Sequence, residues 1–379
     1  MKIDERIICM AENIITKSIK LKKGEKIFIE GFSDSVKDLF EQLIKQATKA
    51  GGIPYWQFND NAFIKSFVEN ASEQQMIEFG QMQAGIMAQC AAYVAVRGHD
   101  DLFMMSDISP KQQEMYRQHY DTPVHFNLRV PKTRWCVMRY PNNTMAATSR
   151  MSRKALEDFY FQACLVDYSK MAQAMQPLKK LMDKTDKVRI VSPGTDLSFS
   201  IKKPKAVACA GEVNLPDGEV FTAPEKYSIN GVIQFNTDTV YEGEFFSNIR
   251  LEFKDGKIIK GTSTANNERF QQLLDHDDGS RYMGEFALGI NPYVKKPMLD
   301  ILFDEKISGS MHMAIGNSYD DETFNGNRSD IHWDLVLIQT KEWGGGEIWF
   351  DDVLIRKDGL FVLPELKALN PEELVGEGA

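Results

Sequence analysis

The chain has 379 residues, 43% of them hydrophobic, and a formal net charge of -9. This length is sufficient for two domains with hydrophobic cores that need no disulfides. The negative charge argues against a general nucleic-acid-binding surface, and no stretch approaches the ~20 apolar residues that cross a bilayer. The five cysteines are scattered without a Cys-x-x-Cys pair, and the charged start lacks a signal-peptide core. We therefore expect a cytoplasmic protein with no nucleic-acid or membrane partner.

The first half of the chain alternates strand-like and helical segments. Residues 26–30 form a short segment with β-branched side chains, as in a strand, and residues 36–50 repeat apolar side chains at helical spacing. Further strand-like segments are 54–58, 92–96 and 134–140, and further helical patterns are 72–90, 110–119 and a long tract from about 152 to 184. Single helices between strands imply crossover connections. We predict an α/β N-terminal domain with a mainly parallel sheet over residues 1–184.

From about residue 185 the pattern changes to short β-type runs that end in turn dipeptides such as Asp217-Gly218 and Asp358-Gly359. This pattern predicts an α+β C-terminal domain, rich in antiparallel strands, over residues 185–379. The triplet 344–346 consists of three glycines between two strand-like runs. We interpret it as a hairpin turn rather than as a phosphate-binding loop.

Metal-binding side chains recur on single faces of the strand-like segments in the second half. Side chains at positions i and i+2 of a strand share a face, so His332 and Asp334 point the same way while Trp333 packs behind them. The same rule places His312 on a face with small residues, and it places Glu285 likewise. Those small neighbours, which leave room for a metal and a substrate, are Ser310 and Ala314 for His312, and Ala287 and Gly289 for Glu285.

A further carboxylate, Glu219, lies in the turn-rich segment 214–224. Each of these side chains alone is compatible with a structural role, but charged groups on half-buried strands cost a few kcal/mol unless they are paired. We interpret the set as a metal centre. Two histidines and three carboxylates without a thiolate suit two hard or borderline ions, such as Zn, Co, Mn or Mg, and two adjacent ions imply hydrolysis.

The order of these motifs resembles the thermophilic-type metallo-aminopeptidases, peptidase family M29. The residues that carry the resemblance are the run 219–225, Gly284-Glu285, the run 309–316 with Tyr319, and the run 329–334, with Arg134-Trp135 and Tyr140-Pro141 in the first half. The resemblance covers most of the chain. It implies a two-metal exopeptidase that removes N-terminal residues from peptides with a free N-terminus, and a cytoplasmic homodimer.

Carried over by position, the resemblance also implies site residues. The metal ligands would be Glu219, Glu285, His312, His332 and Asp334, with at least one carboxylate bridging the two ions. Tyr319 matches a tyrosine near the metals whose hydroxyl would donate to the oxyanion. We assign the general base provisionally to Glu285, with Glu219 as the alternative.

Two other functions fit parts of this pattern. His312, His332 and Asp334 also match the two-histidine, one-carboxylate triad of a mononuclear non-haem iron enzyme, and ring-cleaving dihydroxypyridine dioxygenases are similar to this peptidase family in architecture. The presence of both Glu219 and Glu285 argues against that function, because extra acidic ligands favour a second ion. A non-catalytic protein that binds peptides is the third possibility, and the intact ligand set disfavours it.

Overall fold

The computed structural model describes residues 3–98, 100–101 and 104–375. None of the helices in these ranges has the length and hydropathy needed to cross a membrane. The chain divides into two compact units, Met1–Cys164 with Gly211–Leu215, and Leu165–Ala210 with Pro216–Ala379. The division therefore follows Cys164, whereas the sequence pattern placed the domain boundary after Lys184.

The elements are numbered here in chain order within the described ranges. The strands are β1 (Lys26–Phe32), β2 (Ile53–Asn59), β3 (Ala92–Arg97), β4 (Arg134–Arg139), β5 (Lys187–Ser192), β6 (Thr195–Ser200), β7 (Val207–Cys209), β8 (Asn214–Leu215), β9 (Glu219–Thr222), β10 (Asn230–Gln234), β11 (Thr239–Tyr241), β12 (Glu244–Phe246), β13 (Arg250–Lys254), β14 (Lys257–Thr262), β15 (Met283–Gly289), β16 (Ser310–Gly316), β17 (His332–Ile338), β18 (Glu347–Phe350), β19 (Val353–Lys357) and β20 (Leu360–Phe361).

The α-helices are α1 (Glu5–Asn13), α2 (Lys37–Lys49), α3 (Asn61–Asn70), α4 (Glu73–Met87), α5 (Pro110–Tyr116), α6 (Val130–Lys132), α7 (Asn143–Thr148), α8 (Arg153–Cys164), α9 (Tyr168–Met182), α10 (Asn267–Leu274), α11 (Ile301–Asp304) and α12 (Pro371–Val375). Ile14–Ser18 and Arg117–Arg129 are π-helical. Asp34–Val36, Lys341–Trp343 and Pro364–Leu369 form 3₁₀-helices.

The first unit is built on a parallel sheet with the strand order β2-β1-β3-β4-β8. Strands β1 and β3 are buried along almost their whole length, as expected for a sheet that helices cover on both faces. Helix α2 buries Leu39, Leu43 and Ala47 at helical spacing. Helix α4 begins with a capping box in which Ser72 and Gln75 satisfy each other's backbone N–H groups. The predicted α/β domain with a parallel sheet is confirmed.

The second unit contains two larger antiparallel sheets, with strand orders β14-β13-β10-β6-β5-β18-β19-β20 and β17-β16-β15-β9-β7. Their apolar faces contribute to one hydrophobic core, in which Ile190 and Leu251 of the first sheet cluster with Phe286 and Trp333 of the second. Helices α9 and α10 add Met175 and Phe270, among other side chains, to this core. The predicted α+β domain rich in antiparallel strands is confirmed.

Two local predictions are wrong. The helical tract from about 152 to 184 is divided into two helices, α8 and α9. Asp167 caps the N-terminus of α9, where its carboxylate accepts hydrogen bonds from the N–H groups of Ser169 and Lys170. The glycine triplet is not a hairpin turn, because β17 and β18 belong to different sheets. Gly344 and Gly345, with φ of 99° and 73°, instead lie on the connection from one sheet to the other.

Candidate metal centre

The antiparallel sheet β17-β16-β15-β9-β7 places all five predicted ligands on one face. Directly paired residues of antiparallel strands point to the same side, and Glu285, Ala314 and Asp334 are paired in one row across β15, β16 and β17. His312 lies two residues from Ala314, and His332 lies two residues from Asp334, so alternation puts them on the same face. Glu219, opposite Gly289 on β15, completes the set.

The other face of these strands fixes this orientation. Phe286, Met311, Met313, Trp333 and Leu335 alternate with the ligand-type residues and are buried in the hydrophobic core. A slip of one residue in any strand would exchange the two sets, exposing apolar side chains and burying charged ones in the core. The alternation predicted from the sequence is therefore what the folded sheet shows.

Glu285 connects the two histidines. Its Oε1 lies 3.3 Å from Nε2 of His312, and its Oε2 lies 3.5 Å from Nε2 of His332. The carboxylate is 4% exposed, so both oxygens are held away from bulk water. One carboxylate whose two oxygens face two different imidazoles has the arrangement of a bridging ligand.

The remaining ligand-type residues form two overlapping groups around Glu285. Oε2 of Glu219 lies 3.4 Å from Nε2 of His312, and Oδ2 of Asp334 lies 3.7 Å from Nε2 of His332. Within each group, the potential ligand atoms are all within 4.8 Å of one another. The first group consists of Glu219, Glu285 and His312, and the second of Glu285, His332 and Asp334.

Several atoms at this face lack the hydrogen bonds that burial normally demands. Oε2 of Glu219 and Oδ1 of Asp334 are buried without a hydrogen-bond partner. The carbonyl of Asn317 lies 2.9 Å from Nδ1 of His332, so it can accept a hydrogen bond from Nδ1–H and leave the Nε2 lone pair directed at the carboxylates. Unpaired carboxylate oxygens beside an oriented imidazole fit a bound divalent cation.

The charged groups of this cluster compete for protons. Burial raises the pKa of Glu285, and the neighbouring Asp334 and Glu219 charges raise it further. Burial disfavours the charged form of His312, but Glu285, Glu219 and Asp334 outweigh it and raise its pKa to about 9. The pKa of His332 is also raised, since Asp334 and Glu285 outweigh its desolvation. Divalent cations would replace these protons as the partners of the carboxylates.

Tyr319 follows β16 and lies at the open side of the cluster. Its side chain is 45% exposed, and its ring centroid is 5.0 Å from that of His332 and 5.6 Å from that of Phe221. Partial burial raises its pKa, and the surrounding carboxylates, led by Glu285, raise it further. The structure thus brings the predicted tyrosine next to a proposed ligand with its phenol protonated at neutral pH.

Three residues at the site were missed by the sequence analysis. Glu305 and Lys306 follow the short helix α11, and Asp217 precedes β9. Potential ligand atoms of Glu305, His312 and Asp334 lie within 4.8 Å of one another, and burial raises the pKa of Glu305 to about 8. These residues lie in loops, so no strand alternation marks them, and the sequence offered only an ordinary charged helix end.

Comparison with known proteins finds relatives along most of the chain. The family model described as Thermophilic metalloprotease (M29) matches residues 3–348. Aminopeptidase AmpS of Bacillus subtilis (strain 168) is 24% identical over 354 residues, covering 83% of this chain and 85% of AmpS. The structure of wild-type AmpT from Thermus thermophilus matches with a TM-score of 0.80 and 20% identity, over 95% of this chain and 99% of AmpT.

A second solved structure also shares the fold. The 2,5-dihydroxypyridine dioxygenase from Pseudomonas putida KT2440 matches with a TM-score of 0.62 and 13% identity, over 97% of this chain and all of the dioxygenase. At these identities both structures establish the architecture alone. The family model, which spans more than nine-tenths of the sequence, confirms the resemblance predicted from the motifs and the prediction of a metal-dependent hydrolase. The chain belongs to the M29 family of thermophilic metalloproteases.

Proposed function

We propose that this protein is a metal-dependent aminopeptidase that removes N-terminal residues from peptides with water activated between two divalent cations. The observation that carries the proposal is the position of Glu285, whose two oxygens face His312 and His332 separately. A single cation would need only one of the two groups that share this carboxylate. The relatives whose names identify them as aminopeptidases support the choice of substrate.

The charge of the cluster also supports two cations. Five carboxylates converge here, and the buried ammonium group of Lys306 offsets one of their charges. With all five carboxylates ionised, which for Glu305 requires a pH above its pKa of about 8 or a bound cation that lowers it, two divalent cations would offset the remaining four charges, whereas one would leave two uncompensated in a buried site. The five carboxylates are those of Asp217, Glu219, Glu285, Glu305 and Asp334.

The proposed ligand assignment follows the two groups. Glu219 and His312 would hold one cation, His332 and Asp334 the other, and Glu285 both. Two bound divalent cations would supply an acidified water and polarise the scissile carbonyl. The carboxylate and imidazole donors proposed here suit Zn, Co, Mn or Mg.

Two residues would handle protons and developing charge. The Tyr319 hydroxyl would donate a hydrogen bond to the oxyanion, which its raised pKa permits because the phenol stays protonated. A general base needs an oxygen free of cations. Glu285 is the predicted base, with Glu219 as the alternative, but both oxygens of Glu285 face histidines. We therefore propose Glu305, which clusters with His312 and Asp334, as a further candidate to accept the water proton.

A metal-resolved assay tests the function. The purified protein should contain about two divalent ions per chain and release amino acids from free-amine dipeptides, but not from N-acetylated controls. Glu285→Gln should abolish release, because it removes the negative charge shared by both groups and replaces one of the two oxygen donors with an amide NH2, so one group loses its Glu285 ligand. Glu285→Gln with full turnover would refute the bridging role. We further propose a homodimer in the cytoplasm, and light scattering of the purified protein tests its oligomeric state.

The alternative function is a mononuclear iron ring-cleaving dioxygenase. The shared architecture with the Pseudomonas putida dioxygenase favours it, and His312, His332 and Asp334 provide the required donor types. Against it, Glu219 and Glu285 both lie at the site and would enlarge the donor set beyond that triad. One ferrous ion per chain, with oxygen consumption and no peptide hydrolysis, would establish the dioxygenase and overturn the aminopeptidase.

A further inference from the structure

A fully buried lysine lies directly behind the proposed metal centre. Lys306 is 0% exposed, and its Nζ lies 2.6 Å from Oε1 of Glu219, 2.8 Å from Oε1 of Glu305 and 3.7 Å from Oδ1 of Asp217. Burial of an ammonium group is costly unless carboxylates surround it. The lysine and the acidic residues are therefore mutually dependent.

The backbone around Lys306 is fixed in place. The N–H of Asn291 donates to the Lys306 carbonyl at 3.0 Å, and the Asn291 side chain donates to the Asp217 carbonyl at 2.7 Å. Gly289 permits this close approach, because a Cβ there would lie 2.4 Å from the Ile307 carbonyl oxygen. These bonds join the loop after α11 to the end of β15 and to the turn before β9, so the backbone from which the Lys306 side chain extends is held in place.

The two carboxylate oxygens of Glu219 face different partners, Lys306 and the proposed metal site. While Oε1 contacts Lys306, Oε2 lies 3.4 Å from Nε2 of His312, buried and without a hydrogen-bond partner. The contact is an ion pair without hydrogen-bond geometry, and it restricts rotation of the carboxylate and so limits the direction of the other oxygen. We propose that Lys306 is a positioning residue that aims Oε2 of Glu219 at a cation shared with His312. This inference rests on the proposed two-cation centre and deepens it.

A purely electrostatic role for Lys306 predicts the opposite change in cation affinity. If Lys306 acted only as a competing positive charge, its removal would strengthen cation binding, because the cluster would become more negative. If it aims Glu219, its removal weakens binding at the Glu219–His312 group, since outer-shell partners of metal ligands typically contribute about 10- to 100-fold in affinity. The sign of the change in affinity separates the two roles.

The experiment compares Lys306→Met with wild type, both stripped of metal by a chelator. Titration with Mn²⁺, followed by the electron paramagnetic resonance signal of the free ion, gives the number and affinity of bound ions. We expect Lys306→Met to weaken one of two ions by about 10- to 100-fold and to leave the other within about threefold. With Co²⁺, we expect the visible absorption to change as well, because the coordination of one ion is altered. Unchanged or tighter binding would overturn the proposal.

Two further variants keep the test decisive. Lys296→Met removes an exposed lysine nearby in sequence, and it should leave affinity and spectrum unchanged. If circular dichroism shows that Lys306→Met does not fold, Lys306→Gln replaces it, and that variant must then bind one ion at least threefold more weakly. A wild-type stoichiometry of one ion would count against the two-cation centre, whereas the role of Lys306 is read separately from the ratio of affinities.

Discussion

Replacement of Gly284 by alanine should disturb the orientation of His332 and weaken metal binding, although no proposed ligand is substituted. A Cβ at position 284 would lie 2.0 Å from the carbonyl oxygen of Asn317 and 2.7 Å from that of Gly316. That same Asn317 carbonyl lies 2.9 Å from Nδ1 of His332. Position 284 therefore requires glycine, because the backbone carbonyl that orients His332 approaches it too closely for a side chain.

The size of the effect follows from these distances. Ordinary van der Waals contact begins at 3.4 Å, so the Asn317 carbonyl must move by more than 1 Å to accommodate the new methyl group. Overpacking of this kind costs about 1–3 kcal/mol of stability. The displaced carbonyl no longer fixes the His332 ring, and loss of such an outer-shell partner lowers metal affinity by about 10- to 100-fold.

The assay combines chemical denaturation of the metal-free protein with Mn²⁺ titration of Gly284→Ala. The matched control is Gly85→Ala, because Gly85 lies within α4 and a Cβ there meets nothing within 4 Å. The control should gain about 0.5–1 kcal/mol from helix propensity and leave metal affinity unchanged. If Gly284→Ala binds both ions as tightly as wild type, the proposed orientation of His332 through Asn317 is wrong.

Three other perturbations have defined outcomes. Glu285→Gln should reduce bound Mn²⁺ from two ions per chain to one or none, measured by metal analysis after desalting, while retention of two ions would contradict the shared carboxylate. In metal-free protein, the pKa values of about 9 for His312 and about 8 for Glu305 lie above their ordinary values of 6.5 and 4.5, so protonated forms favour folding. Glu305 loses that stability as pH rises from about 4.5 to 8, and His312 loses it from about 6.5 to 9, so urea denaturation should show the free energy of unfolding falling by several kcal/mol between pH 6 and 9, at about 1.4 kcal/mol per pH unit for each group; a flat profile would contradict this linkage. Ser72→Ala should lower the stability of the first unit by about 1 kcal/mol in the same assay, because it removes the N-cap of α4, and a change below 0.3 kcal/mol, as a rough limit, would show that the cap contributes little.

The orientation of four ligand-type residues was predictable because strand alternation is a local property. His312, His332, Asp334 and Glu285 each alternate with large apolar residues, and burial of those residues in the core decides which way the polar ones face. No knowledge of the partner strands is needed for this step. The order β17-β16-β15-β9, which brings the faces together, is a property of the folded sheet.

The loop residues at the site were not predictable in the same way. Lys306 is separated from Glu219 by more than eighty positions, and no periodic pattern links them, yet their charged atoms lie 2.6 Å apart. Similarly, the glycine triplet and the strand-like runs beside it match a local hairpin, and only the sheet assignment shows that β17 and β18 pair with different neighbours.

The sequence by itself determined the two fold classes, the strand faces and the family, because these depend on the types and local spacing of residues. Tertiary structure alone decided that Glu285 lies between two histidines and that Lys306 and Glu305 lie behind and beside them. The physical reason is that convergence of charged groups is set by strand pairing and by backbone hydrogen bonds between distant loops, such as Asn291 to Lys306, which no local pattern encodes.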